Sequence, residues 1–352
     1  MKPTENDIAL IDNLYKGRKP FYGELHDHSD SGGTSDGKCT LSEWRKVMVE
    51  LGLDFAAILD HRQVRHMYLP EWEDGVFIGG TEPGIRLTNS RAELGEIHYN
   101  ILTEGPGQLE ELLSRFPEYE FEGGPDGHFV YPDYSVERMG ELIDNVKELG
   151  GFYVHPHPKQ IMRSDDPNDY CFRDETGIEV FYEDLRCEKT ALNYDLWLGI
   201  LKAGRHIWAC AGGDGHSTPS DKAITTIYAE EKSNKSYLKH LRVGDFVCGG
   251  VGIRMCMGDT LMGGKCDFTG KRLVVSVSDI HKSVFCDDHK YRIDIINDKG
   301  TVSSASVNLN GTNYFAIDAE NCKFYRTEIF DETENLRIAV GNPIWNIKGD
   351  TL

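Results

Sequence analysis

The chain has 352 residues, 39% of them apolar and 27% charged, an ordinary globular balance that allows one large domain or a large one joined to a small one. Against 38 Lys and Arg stand 58 Asp and Glu, a net charge of −20, which argues against long nucleic acids as partners because phosphate contacts need clustered cations. The nine cysteines include no C-x-x-C pair and read as free thiols. The opening MKPTENDIALIDNLYKG lacks the apolar run of a signal peptide, and no stretch approaches membrane-spanning length. The expectation is a cytoplasmic protein with no membrane partner.

Residues 1–20 read as a lead-in with one helical turn at Ile8–Asp12, followed by a strand at Phe21–His28. Side chains two apart on a strand leave from the same face, so His26 and His28 aim both imidazoles at one point. The loop Ser31–Gly37 is placed to bring Asp36 back over that strand end. Thr40 and Glu43 have the capping-box spacing, and Leu41, Trp44, Val47, Met48 and Leu51 recur at helical period up to Gly52. The apolar run at 54–61 ends in Asp60 and His61. Strand, helix, strand is a βαβ unit, whose natural product is a parallel sheet.

Further strands are expected at 75–82, ending at Glu82, and at 95–102, with His98 in its middle. Residues 103–134, rich in Gly, Pro and acidic groups, read as an irregular insertion. A helix over 136–149 stops at Gly150 and Gly151, and the strand Phe152–His157 carries His155 and His157. A strand at 178–182, a helix near 190–203 and a strand at 205–211 lead to Asp214 and His216; a strand at 223–228, a helix at 237–241 and a short strand at 246–249 follow. From about residue 268 short strands at 272–278, 290–296, 316–317 and 336–340 alternate with turns, as in a small antiparallel sheet or sandwich. A domain boundary is expected within 257–267.

His26, His28, Asp60, His61, Glu82, His98, His155, His157, Asp214 and His216 therefore stand at or near strand ends. In a βα barrel those ends converge on one face, where active sites are built. The ordered pieces His26-Asp-His28, Ser35-Asp36-Gly37, Asp60-His61, Glu82, Glu96-Ile-His98, Gly150-Gly151 with His157-Pro158, and Gly213-Asp214-Gly-His216 resemble the PHP family, named for polymerase and histidinol phosphatase domains. The resemblance covers about residues 21–258. It implies an α/β fold, a distorted TIM-like barrel of seven β/α units, here with a C-terminal antiparallel β domain over 268–352. A subgroup whose appended β domain closes on a segment like Gly341–Trp345 is the nearest in pattern.

Carried across, the resemblance implies two or three divalent ions. One would be held by His26, His28, Glu82 and Asp214, and a second by Glu82, His98 and a histidine of the His155–His157 segment. A third would use Asp36, His61 and His216. Counting from the Gly-Gly pair, the family's ligand falls on His157, with His155 as the alternative. Such mixed imidazole and carboxylate sets suit Zn, Mn or Fe. The expected function is a phosphoesterase in which a hydroxide bridging two ions attacks a small phosphorylated substrate. Glu82 would bridge the ions, and Asp214, His61 and His216 would take part in the chemistry. Arg254, then Lys159 and Arg186, are the candidate phosphate-binding cations. The same centre would also serve a carboxylic ester or amide hydrolase, and a non-catalytic metal-binding scaffold is the alternative outside enzymes. His66, His128, His206, His240, His281 and His289 match no motif.

Overall fold

The structure, a computed structural model, describes residues 2–88, 96–116, 131–158, 173–217, 223–308 and 311–349. The chain opens with helix α1 (Glu5–Leu14), longer than the single expected turn. Thr4 caps it by accepting from the Asp7 amide while Asp7 reaches back to the Thr4 amide. Its apolar stripe buries Ile11 with Tyr15, Val274 and Ala316.

Strand β1 (Lys19–Asp27) leads to α2 (Leu41–Leu51), which has the Thr40–Glu43 capping box and ends at Gly52 with φ 83°. That left-handed value is one that glycine adopts at little cost. Strand β2 (Phe55–Ile58) pairs in parallel with β1, and β3 (Phe77–Thr81) pairs in parallel with β2. The expected strand at 95–102 is two strands broken at Tyr99. First come β4 (Gly84–Leu87) and β5 (Glu96–His98), an antiparallel pair; then β6 (Asn100–Thr103) rejoins the main sheet beside β3. Because the chain returns without a crossover helix, β6 runs antiparallel to β3, and the main sheet is mixed rather than parallel.

The stretch read as an irregular insertion begins with a helix, α3 (Pro106–Arg115), with proline in its first turn and Leu109, Leu112 and Leu113 buried. Strand β7 (Asp133–Tyr134) pairs with β4, and residues 117–130 lie outside the described residues. Next come α4 (Val136–Glu148), β8 (Phe152–His155), β9 (Thr176–Tyr182), α5 (Glu188–Lys202), β10 (Ile207–Gly212), β11 (Thr225–Ala229), α6 (Asn234–Leu241) and β12 (Phe246–Gly249).

The seven strands β10, β9, β8, β6, β3, β2 and β1 follow one another by ladder, and β11 and β12 continue the sheet. Among the described residues no ladder closes the run into the expected barrel. Asp27 and Gly215 instead make an isolated parallel bridge, through His28 N to Gly215 O at 2.8 Å and Gly215 N to His26 O at 3.3 Å. The bridge joins the tip of β1 to the segment after β10, and Phe21, Leu25, Phe55, Ile78, Leu102, Val154 and Trp208 from strands along the whole run pack into one apolar cluster.

The remaining strands are β13 (Val251–Met257), β14 (Thr260–Leu261), β15 (Lys265–Cys266), β16 (Arg272–Ile280), β17 (Tyr291–Asn297), β18 (Gly300–Val307), β19 (Asn313–Asp318), β20 (Phe324–Asp331) and β21 (Leu336–Asn346). β14, β13, β16 and β19 form a separate antiparallel sheet. β21 pairs with β12, so that β20, β17 and β18 extend the main sheet. Asn342 on β21 locks this join: its Oδ1 accepts from Ala209 N at 2.8 Å and its Nδ2 donates to Phe246 O at 3.1 Å.

Candidate metal centre

The polar residues that end the strands converge. His26 is the penultimate residue of β1, with His28 just beyond; His61 follows β2, Glu82 follows β3 directly, His98 ends β5, His157 follows β8, and Asp214 and His216 follow β10. Asp36 arrives from the loop before α2. The side chains form three groups, with ligand atoms in each lying within 4.8 Å of one another: His26, His28, Glu82 and Asp214; Glu82, His98 and His157; and His28, Asp36, His61 and His216. His28 belongs to two of them, a sharing that the sequence reading did not assign.

Glu82 is the hub. Its Oε2 lies 3.2 Å from both His26 Nε2 and His28 Nε2, while its Oε1 lies 3.0 Å from His157 Nε2 and 3.1 Å from His98 Nδ1. Asp214 Oδ1 lies 3.2 Å from His28 Nε2 and 3.5 Å from His26 Nε2. On the outer side Asp36 Oδ1 lies 3.2 Å from His216 Nε2 and 3.5 Å from His61 Nε2. Burial grades from 0% side-chain exposure at His26 and His28 to 36% at His216 and 54% at Asp36, so the groups are most exposed on the Asp36 side.

The hydrogen bonds on the far side of the rings decide what the near side needs. His26 Nδ1 bonds Glu179 Oε1 at 2.8 Å, His61 Nδ1 bonds the Glu82 carbonyl at 2.9 Å, and His216 Nδ1 bonds the Asp214 carbonyl at 2.8 Å. Each acceptor fixes the proton on Nδ1 and leaves the Nε2 lone pair facing carboxylate oxygens. His26 Nε2 is buried with no hydrogen-bond partner. A lone pair held against a carboxylate requires a second proton or a cation between them, and this donor set suits a divalent ion.

Electrostatics say the same. Burial opposes charge on Glu82, yet His26 and His98 outweigh it and hold the carboxyl well below the usual range. Burial likewise opposes charge on Asp214 and Asp36, and the neighbouring histidines again pull both down. Burial pulls His28 down, but Asp214 and Glu82 lift it to about 9. The carboxylates thus demand positive charge, which protons or bound ions supply.

Asp214 at φ 50° and His157 at φ 27° occupy the left-handed region that side chains rarely adopt, a strain that gathers at functional sites. Sequence reasoning missed the parts that hold them. Glu179 on β9, besides its bond to His26, accepts from the His157 amide at 2.6 Å, and Tyr182 donates its hydroxyl to Asp214 Oδ2 at 2.7 Å. Their signal was a lone acid inside the apolar run Ile178–Tyr182, since a buried charge requires partners. Trp44 adds a bond from Nε1 to the His28 carbonyl at 3.0 Å. Asp60 braces the loop instead, accepting from Ser29 N at 2.6 Å and from Ser31, with His66 Nδ1 3.2 Å from its Oδ2.

Other expected residues lie elsewhere. His155 is not in the group with Glu82; it packs edge-on against Tyr153 at 4.7 Å, and burial lowers its pKa to about 3. Arg254 bonds Asp12 and Ser276, each at 2.8 Å, and lines a cavity of about 470 Å³ beside Pro20. Pro20 is the second residue of β1, six residues before His26, so this cavity lies toward the end of the strand opposite the three groups. Arg186 pairs with Glu334 at 2.8 Å. Lys159 and His128 lie outside the described residues. His240 sits between Glu230 and Asp245, His289 bonds Asp331, and His206 stacks against Trp345.

No family model and no curated protein matches the chain. Among solved structures it is similar to an amidohydrolase from Chromobacterium violaceum at 14% identity, covering 55% of this chain and 87% of that one with a TM-score of 0.37. It is also similar to Endonuclease Q in complex with a duplex bearing an abasic lesion, at 14% identity and a TM-score of 0.42; 65% of this chain spans 58% of that protein. Both likenesses are distant, and neither places a residue of this chain. Among the described residues no helix is long and apolar enough to cross a membrane.

Proposed function

We propose that the chain is a metal-dependent hydrolase of the PHP type that cleaves a small phosphate ester. The observation that carries this reading is the division of Glu82, with one carboxylate oxygen at the histidines of one group and the other oxygen at those of the next. A carboxylate so divided places Glu82 to serve both groups at once. The three groups would hold two or three ions of Zn, Mn or Fe, which would supply a water-derived nucleophile at neutral pH and positive charge against phosphoryl oxygens.

The chain's own residues do the rest. Buried Glu82 and half-buried Asp214, both ionised, fix the positive charge at the floor of the site, which a protein of net charge −20 needs before it can receive an anion. When only the two inner groups hold ions, His216 and His61, the more exposed histidines opposite Asp36, are placed to hold or return a proton at Nε2. We read the seven-strand run as an incompletely closed barrel within 21–258 and the strands from 268 onward as an appended β domain. The eight described cysteines are free thiols, which fits a cytoplasmic setting.

The test is hydrolysis of p-nitrophenyl phosphate and p-nitrophenyl acetate by the full chain and by D214A and H28A, with circular dichroism checking the fold. The reading predicts phosphate turnover that falls at least ~100-fold in both folded variants. Turnover of the acetate alone shifts the bond cleaved to a carboxylic ester, and full activity in either variant rejects the metal mechanism.

A further inference from the structure

Glu179 touches two of the three groups without belonging to any. One oxygen accepts from the ring of His26, in the group completed by His28, Glu82 and Asp214, and the other accepts from the backbone amide of His157, in the group completed by Glu82 and His98. The Glu179 side chain is 1% exposed. The two bonds do different things. The first fixes the proton of His26 on Nδ1, so that Nε2 presents its lone pair to the centre. The second holds the main chain of His157 at φ 27°, a conformation that costs free energy unless its surroundings impose it.

We propose that Glu179 is a positioning residue that couples two metal positions, so that loss of its carboxylate weakens both together. This rests on the metal reading above. A glutamine cannot replace it, because both partners are donors and its amide NH₂ would face one of them. Space is also fixed. A Cβ on Gly212 would collide with Glu179 Oε1 and lie 2.8 Å from His26 Cβ, so G212A crowds the carboxylate and the ring it holds without deleting either, while leaving His157 untouched except through Glu179.

The test titrates chelated wild type, E179Q, G212A and H98A with Co²⁺, following the ligand-field absorption of the bound ion and the number of ions retained after dialysis. E179Q is expected to lose roughly 10- to 100-fold in affinity at two positions at once, with an altered absorption band, and G212A is expected to show the same defect to a lesser degree. H98A, which removes a ligand of one group only, is expected to weaken one position. E179Q and G212A that both bind cobalt like wild type overturn the coupling role, while wild-type binding itself still upholds the metal reading. Loss at one position only in E179Q also overturns it. A wild type that binds no cobalt rejects the metal reading and the coupling with it. If E179Q does not fold, G212A decides the matter.

Discussion

Tyr182 donates its hydroxyl at 2.7 Å to Oδ2 of Asp214, the oxygen turned away from the His26 and His28 rings that face Oδ1. Burial, reinforced by the Asp214 charge, raises the phenol pKa and keeps the proton on Tyr182, so the bond is always offered. Y182F keeps the ring beside His157 and removes only that bond. Metal affinity is expected to fall about 10-fold without loss of fold, read by metal-ion titration. Unchanged affinity would show that Asp214 needs no such anchor.

His155 and His157 separate by the same kind of measurement. H157A is expected to lose a bound ion, because Nε2 of His157 lies 3.0 Å from Glu82. H155A is expected to lower stability while leaving metal content unchanged, since His155 packs on Tyr153 within the core. Elemental analysis of the two variants distinguishes them; an ion lost from H155A alone would reverse the assignment.

Chelation is expected to make stability depend on pH above neutrality. In the metal-free chain the His28 pKa is lifted to about 9 by Asp214 and Glu82 against the pull of burial. A folded-state pKa above the unfolded value of about 6.5 stabilises fully below pH ~6.5, and that contribution is lost as pH rises through about 9. Metal binding requires the deprotonated ring and supplies the charge instead. The Tm gap between metal-loaded and chelated protein is therefore expected to widen from about pH 6 to 9 in thermal melts. A gap independent of pH would contradict this.

Asn342 ties β21 to β10 and β12 through Ala209 and Phe246. N342A leaves a buried amide and carbonyl without these bonds and is expected to cost about 2–3 kcal/mol in urea unfolding. Metal content should not change, because the variant lies outside the three groups.

Much of this was legible in the chain. The opening βαβ unit announces itself because Thr40, Glu43 and Gly52 mark both ends of α2. The residues of the three groups stand out because polar side chains close one apolar run after another, although Asp60, which also closes such a run, braces a loop instead. Other features depend on what lies across the fold. Tyr99 breaks a continuous apolar pattern between two sheets, so periodicity alone joins β5 to β6. Glu179 and Tyr182 lie within an apolar strand, and their roles exist only once His26, His157 and Asp214 face them. Arg254 comes soon after β12 in sequence, but nothing local reveals that it lies within β13 and meets Asp12 of α1.

Elemental analysis of the purified full chain, paired with p-nitrophenyl phosphate turnover before chelation, after chelation and after metal add-back, tests the central claim most directly. The account predicts at least two transition-metal ions per chain, turnover abolished by chelation, and recovery with Zn, Mn or Fe. A chain that retains no ion, or turnover indifferent to the chelator, would contradict it.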